Sequence, residues 1–214
     1  MSQDKQVANK GGEVVAKSLD ELEKLRKESV LENLVCLVDI SGSMDGMFKG
    51  DRAKRKITAA QDALSGLWEK THWDLCEFQV FAFESIPEQL GCSESFPPKL
   101  PESRGGTDFC SSLDAALDKS PTRIILCSDG QAAYPEEQIK KCQELSIPID
   151  TIYIEGDDYD SERCQQLLQR ISDETGGQYT TVDNAEDLSS VFAQLETTER
   201  LLLTDQSSDD PIEL

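Results

Sequence analysis

The sequence predicts an α/β fold, a doubly wound and mostly parallel central sheet flanked by helices, with one short antiparallel edge strand. Short runs of almost wholly apolar residues recur along the chain, as in strands that are buried on both faces. Segments with a 3.6-residue apolar period separate these runs. A strand followed by a helix, repeated about five times, favours right-handed crossovers between parallel strands.

The elements follow from these patterns in chain order. The predicted strands are 34–40, 77–83, 123–129 and 148–154, with a shorter edge strand at 178–182 and a short antiparallel strand within 85–91. The helices are predicted from apolar residues on one face, and they cover 57–68, 109–117, 134–145, 164–171 and 185–195. Pro135 near the start of one helix and Gly176 after another are typical of helix ends.

The chain divides into four segments. Residues 1–16 are polar and unpatterned, which predicts a mobile leader. Residues 17–32 carry leucines on one face, which predicts an N-terminal helix that packs on the domain. The α/β domain itself is expected over 33–200, and 201–214 form an acidic C-terminal tail.

Composition excludes several classes of function. The formal net charge of −21 repels nucleic acid and anionic membranes, so neither is an expected partner. The chain has no apolar stretch long enough for a signal peptide or a membrane span, which predicts a cytoplasmic protein. Seven cysteines without a C-x-x-C pair fit a reduced chain, and the single His72 leaves no histidine cluster for zinc or for a catalytic triad.

Oxygen-bearing side chains lie at the ends of two predicted strands and just before one predicted helix. They are Asp39, Ser41 and Ser43 in DISGSM, Thr107 in GGTD, and Asp129 in SDG. In a doubly wound sheet these segments meet at the carboxyl ends of the strands, where ligands bind. Two carboxylates and three hydroxyls form a hard oxygen site that favours Mg²⁺ or Mn²⁺, and so few protein ligands leave a coordination position open.

These three segments, in this order, resemble the metal-ion-dependent adhesion site of the von Willebrand factor A domain family. The similarity covers roughly residues 33–196. It implies that Ser41, Ser43 and Thr107 bind the metal directly or nearly so, and that Asp39 and Asp129 hold it through water. It also implies that a carboxylate from a partner protein takes the open position.

Simpler interpretations exist for each segment alone. Asp39, Ser41 and Ser43 are also typical of loops in which side chains cap nearby backbone groups. Thr107 is a possible N-cap of the helix that follows it. The joint pattern favours the metal site. A basic cluster in the loop 46–55 is either a way of orienting an acidic partner or a solvated loop.

The predicted function is an intracellular adaptor that holds an acidic residue of a protein partner through the bound metal, without catalysis. A metal-dependent hydrolase would need more carboxylates around the ion. The alternative is a structural or regulatory subunit of a multiprotein complex, for example with an AAA-type ATPase or a stress or defence system. In that case the metal only stabilises the domain, and the partner binds to the terminal segments or to a helix face.

The acidic tail 201–214 is either a frayed terminus or a docking peptide for a partner or another copy.

Overall fold

The computed structural model describes residues 32–71, 73, 76–156 and 160–194 of the chain. Within these residues the strands are β1 (Glu32–Asp39), β2 (Cys76–Phe83), β3 (Pro87–Gln89), β4 (Arg123–Ser128), β5 (Ile149–Ile154) and β6 (Tyr179–Val182). The helices are α1 (Lys56–Lys70), α2 (Phe109–Leu117), α3 (Glu136–Leu145), α4 (Ser161–Thr175) and α5 (Ala185–Gln194), with a short 3-10 helix at Gly42–Asp45.

The strands form one sheet in the order β3-β2-β1-β4-β5-β6. Each neighbouring pair is parallel except β2 and β3, where Phe83 pairs with Pro87 in antiparallel register. The predicted fold class, including the short antiparallel edge strand, is therefore confirmed. Strand order reverses at β1 and β4, so a crevice opens at the carboxyl ends of these two strands.

Alternate side chains of the central strands face two separate apolar layers. Cys36 and Val38 of β1 pack with α1 and α5, whose Leu64 and Phe192 are buried there. On the other face of the sheet, alternate β1 residues pack with α2, α3 and α4. Because both faces are covered, the strands read as continuous apolar runs, which is why the sequence shows them clearly.

Some boundaries differ from the predicted ones. Glu32 is the first residue of β1 and not the end of a helix, because its backbone pairs with Cys76 of β2. The leader 1–16, the rest of the predicted helix 17–32 and the tail 201–214 lie outside the described residues and stay predictions. None of the helices in the described part of the chain is both long and apolar enough to cross a membrane.

Candidate metal site at the carboxyl ends of the strands

The loop after β1 folds back on its own carboxylate. The Ser41 amide donates a hydrogen bond of 2.7 Å to Asp39 Oδ1, and the hydroxyl oxygens of Ser41 and Ser43 lie 3.0 Å apart. Asp39 is fully buried, whereas Ser43 is partly exposed. The three side chains that the sequence places in one turn therefore face a common point at the end of β1.

The end of β4 lies directly beside this loop. Ser128 donates a hydrogen bond of 2.6 Å from its hydroxyl to Asp39 Oδ2, and its own oxygen accepts from the Gly130 amide at 2.9 Å. Gly130 has a φ of +82°, and a Cβ there would lie 2.9 Å from the Cβ of Cys164. Glycine thus allows the chain to turn sharply after Asp129 while α4 approaches closely.

The third predicted segment is tied to the first by backbone hydrogen bonds. The Arg104 amide donates to the Ile40 carbonyl at 2.7 Å, and the Gly42 amide donates to the Gly105 carbonyl at 3.2 Å. Thr107 is partly buried, and with Gly130 it lines a cavity of about 580 Å³.

The residue that caps α2 is Asp108, whose carboxylate accepts a hydrogen bond of 2.9 Å from the Cys110 amide. The alternative interpretation of Thr107 as the N-cap is therefore wrong. The helix does not need the Thr107 hydroxyl as a cap, because the Asp108 carboxylate already accepts from the free Cys110 amide of the first turn.

A buried lysine completes the charges of the site. Lys56 Nζ lies 3.1 Å from Asp129 Oδ2, and the two side chains are 2% and 0% exposed. Lys56 is the first residue of α1, and its amide donates to the Gly46 carbonyl at 2.9 Å. This backbone contact holds the start of the helix, and hence the lysine, beneath the loop after β1.

The buried Asp39 carboxyl is shifted from its ordinary pKa. Burial, and to a lesser extent the nearby charge of Asp129, raise the pKa of Asp39, hydrogen bonds from Ser128 and Ser41 lower it, and the net result is a pKa of about 7. Crowded carboxylates of this kind are stabilised by an added cation. The electrostatics of this edge of the sheet thus favour a positively charged ligand.

The donor set fits a divalent cation. Asp129 Oδ1 is buried and has no hydrogen-bond partner among the described residues. No group of three or more His, Cys, Asp or Glu side chains in that part of the chain is arranged to hold a metal, so an ion here depends on the hydroxyl ligands as well. Two carboxylates with neutral hydroxyls match the hard oxygen ligands of Mg²⁺ and Mn²⁺.

The basic cluster of loop 46–55 is engaged with carboxylates of the chain itself. Lys49 lies 2.6 Å from Glu155, and Arg55 lies 2.8 Å from Asp45. Lys54 pairs with a carboxylate of α1, Asp62. These contacts favour the solvated-loop interpretation over a surface reserved for an acidic partner.

Sequence reasoning missed two residues of the site. Ser128 stands in the SDG segment, but nothing in the sequence shows that its hydroxyl supports Asp39. Lys56 follows the four basic residues of loop 46–55, and only its place at the helix start, on the buried side with Ala60 and Leu64, distinguishes it from them. A lysine in register with the apolar face of a helix is the signal that identifies it.

Comparisons with known proteins give the fold. No family model matches the sequence, and no curated protein is significantly similar to it. A von Willebrand factor type A structure from Catenulispora acidiphila has a TM-score of 0.60 and 19% identity, over 78% of this chain and 42% of that one. The chain thus spans less than half of that structure.

Two similar structures contain metals. Manganese-loaded TRAP protein from Plasmodium vivax has a TM-score of 0.55 and 19% identity, over 77% of this chain and 74% of that one. Proximal thread matrix protein 1 from the mussel byssus, with a zinc-occupied MIDAS motif, has a TM-score of 0.53 and 17% identity, over 85% and 52% of the two chains. With the strand order and the helices on both faces of the sheet, these similarities show that the chain has the von Willebrand factor A fold.

Proposed function

We propose that this domain is a metal-dependent protein-interaction module, in which Mg²⁺ or Mn²⁺ holds a carboxylate of a partner protein. The proposed metal ligands, direct or through water, are Asp39, Ser41, Ser43, Thr107 and Asp129. The observation that carries the proposal is the buried Asp129 Oδ1, which has no partner within the described residues and lies at the edge where Asp39 and the serine hydroxyls meet. A cation at this point would satisfy that oxygen.

The chemistry of the site favours binding over catalysis. Among the described residues the site offers no imidazole as a base, its nearby thiol Cys164 is buried, and its carboxylates are engaged with Ser41, Ser128 and Lys56. A metal with mostly neutral hydroxyl ligands retains positive charge, which attracts an anionic oxygen from outside. The proposal includes a location inside the cell, which the sequence features of a reduced chain support.

Proton relaxation of solvent water tests this function directly. Mn²⁺ at an open site carries exchangeable water and speeds the relaxation, and a carboxylate that displaces this water slows it again. We expect acetate, but not acetamide, to reduce the relaxation enhancement of the Mn²⁺-loaded protein at constant ionic strength. A Ser41→Ala variant should lose the enhancement. Equal effects of acetate and acetamide would contradict carboxylate capture.

A second function is favoured by the Lys56–Asp129 ion pair. Because Lys56 already neutralises one buried carboxylate, the domain has an internal cation with which to stabilise this edge. In this second proposal the domain is a structural or regulatory subunit, the metal only adds stability, and partners bind elsewhere. Combined Asp39→Ala and Ser41→Ala substitutions separate the two: the first function predicts lost partner binding in a folded domain, and the second predicts lost stability with partner binding intact in whatever remains folded.

The C-terminal tail offers carboxylates of its own, and self-association through residues 201–214 is part of the proposal. The tail would supply a carboxylate to the metal of another copy. Truncation after Leu203 should then abolish metal-dependent association, measured by sedimentation with Mg²⁺ and with chelator. Identical sedimentation of the full and the truncated chain in both conditions would contradict it.

A further inference from the structure

Lys56 places a fixed positive charge next to the proposed metal. Its side chain is 2% exposed, and its ammonium group lies 3.1 Å from the carboxylate of Asp129, which is also fully buried. Lysine is almost never buried to this extent unless it is paired. The hydrogen bond from the Lys56 amide to the Gly46 carbonyl fixes the backbone of this residue at the start of α1, beneath the loop after β1.

The charges of the site give this lysine a consequence for metal binding. With Asp39 and Asp129 ionised, Lys56 brings the net charge to about −1, and a divalent cation then changes it to about +1. Without the lysine the loaded site would be neutral. The ammonium group therefore repels the entering metal, and it leaves a positive excess that an anionic ligand cancels.

We propose that Lys56 couples metal binding to capture of the partner carboxylate, by weakening the metal alone and strengthening the metal and carboxylate together. This inference rests on the proposed function. The coupling is reciprocal, so a carboxylate ligand strengthens metal binding by the same factor as the metal strengthens carboxylate binding. A free domain would then hold its metal weakly, and the complete complex would hold it tightly.

Neighbouring basic residues do not share this role. Lys54 is partly exposed and pairs with Asp62 on the surface of α1, and Arg55 is 58% exposed and pairs with Asp45. Water and salt screen such surface charges, whereas a buried charge acts at close to full strength. Lys54→Met is therefore a matched control, because it removes the same charge from the same segment of the chain.

The test is a calorimetric titration of Mn²⁺ into the wild-type chain, Lys56→Met and Lys54→Met, in chloride and in acetate at equal ionic strength. We expect Lys56→Met to bind Mn²⁺ about tenfold more tightly than wild type in chloride. Acetate should strengthen Mn²⁺ binding about fivefold in wild type and in Lys54→Met, and much less in Lys56→Met.

Folding of the variant needs its own check, because Lys56→Met leaves Asp129 buried without this partner. Lys56→Gln provides a second variant, in which the amide still donates a hydrogen bond. Circular dichroism with and without Mn²⁺ shows whether each variant is folded. If both variants remain unfolded even with Mn²⁺, Lys56 is purely a structural cation and the inference is overturned.

The remaining outcomes separate this inference from the proposed function. Equal Mn²⁺ affinity and equal acetate coupling in wild type and Lys56→Met would overturn the inference and leave the proposed function standing. No Mn²⁺ binding in any protein would overturn the proposed function itself. Binding in Lys56→Met alone, even with acetate, would mean that the lysine replaces the metal, and both would fail.

Discussion

Two buried charge clusters lie at opposite ends of the same sheet, and each combines two carboxylates with one basic side chain. Asp39, Asp129 and Lys56 meet at the carboxyl ends of β1 and β4. At the amino ends of β1, β4 and β5, Arg123 lies between Glu32 and Asp150. The formal charges are the same, so the difference between the clusters comes from geometry.

At the amino ends the guanidinium and the backbone satisfy one acid completely. Arg123 Nε donates to Asp150 Oδ2 at 2.7 Å, and the Gln178 amide donates to Asp150 Oδ1 at 2.7 Å. Glu32 is held more loosely, at 3.8 Å from Arg123, and burial raises its pKa. The incomplete pairing of Glu32 is thus accompanied by a higher affinity of its carboxylate for a proton.

At the carboxyl ends the lysine reaches only one oxygen of Asp129, and serine hydroxyls surround the carboxylates. Hydroxyl oxygens are metal ligands, whereas a guanidinium is not. Two acids and one base thus form a structural cluster or a candidate metal site according to the neutral oxygens beside them. The two clusters should therefore respond differently to substitution and to metal.

Arg123→Met should have the largest effect on stability. It leaves Glu32 and Asp150 buried without their cation, and we expect the free energy of unfolding to fall by about 3 kcal/mol. Urea denaturation with Mn²⁺ and with chelator measures this loss. The metal-dependent difference in unfolding free energy should equal that of wild type, and a changed difference would contradict the separation of the two clusters.

Metal should stabilise the wild-type chain through the carboxyl-end cluster. At a Mn²⁺ concentration of about 100 times the dissociation constant, we expect the free energy of unfolding to rise by about 2.7 kcal/mol. Asp39→Asn should abolish this rise. Asp45→Asn is the control, since Asp45 is an exposed carboxylate of the same loop, and its metal response should match wild type.

The affinity for Mn²⁺ should decrease as the pH is lowered below about 7. The pKa of Asp39 is raised to about 7, so in the metal-free site a proton occupies this carboxylate at lower pH and must leave before the metal binds. We expect up to about a tenfold loss of affinity per pH unit, or about 1.4 kcal/mol. Titrations at pH 6 and 7 measure this. A flat profile would show that Asp39 does not titrate in this range.

Glu32→Gln should have the smallest effect, confined to the pH dependence of stability. Because burial raises the pKa of Glu32 in the folded state above its unfolded value, the folded state binds its proton more readily. The contribution of Glu32 to the free energy of unfolding therefore increases as the pH falls towards the pKa of Glu32 in the unfolded state. The variant should lose that part of the increase in urea denaturation, with an unchanged response to Mn²⁺, whereas an altered metal response would link the two clusters.

The sequence predicts those parts of the molecule that depend on local pattern. The apolar strands are visible because both faces of the sheet are covered, and the loop of Asp39, Ser41 and Ser43 is visible because its members are two residues apart. Contacts between distant segments are not visible in the same way. The hydrogen bond from Ser128 to Asp39 and the ion pair of Lys56 with Asp129 join residues 89 and 73 positions apart.

The amino-end cluster also depends on contacts between distant segments, which the sequence does not show. Arg123 begins β4 and Asp150 is the second residue of β5, and only the parallel register of these strands brings them together. Glu32 was expected at the end of a helix, because leucines recur on one face of the segment 17–32. Pairing of Glu32 with Cys76 of β2 overrides that local preference.

The central claim is that this edge of the sheet binds one divalent cation, and the most direct measurement is electron paramagnetic resonance of Mn²⁺ titrated into the full chain. The free-ion signal measures how much Mn²⁺ remains unbound. Salt at about 0.15 M screens weak binding of Mn²⁺ to this acidic chain, whose formal net charge is −21. We predict one bound ion per chain in wild type and in Asp45→Ala, and none in Asp39→Ala. Equal binding in all three proteins, or no binding in any, would contradict the claim.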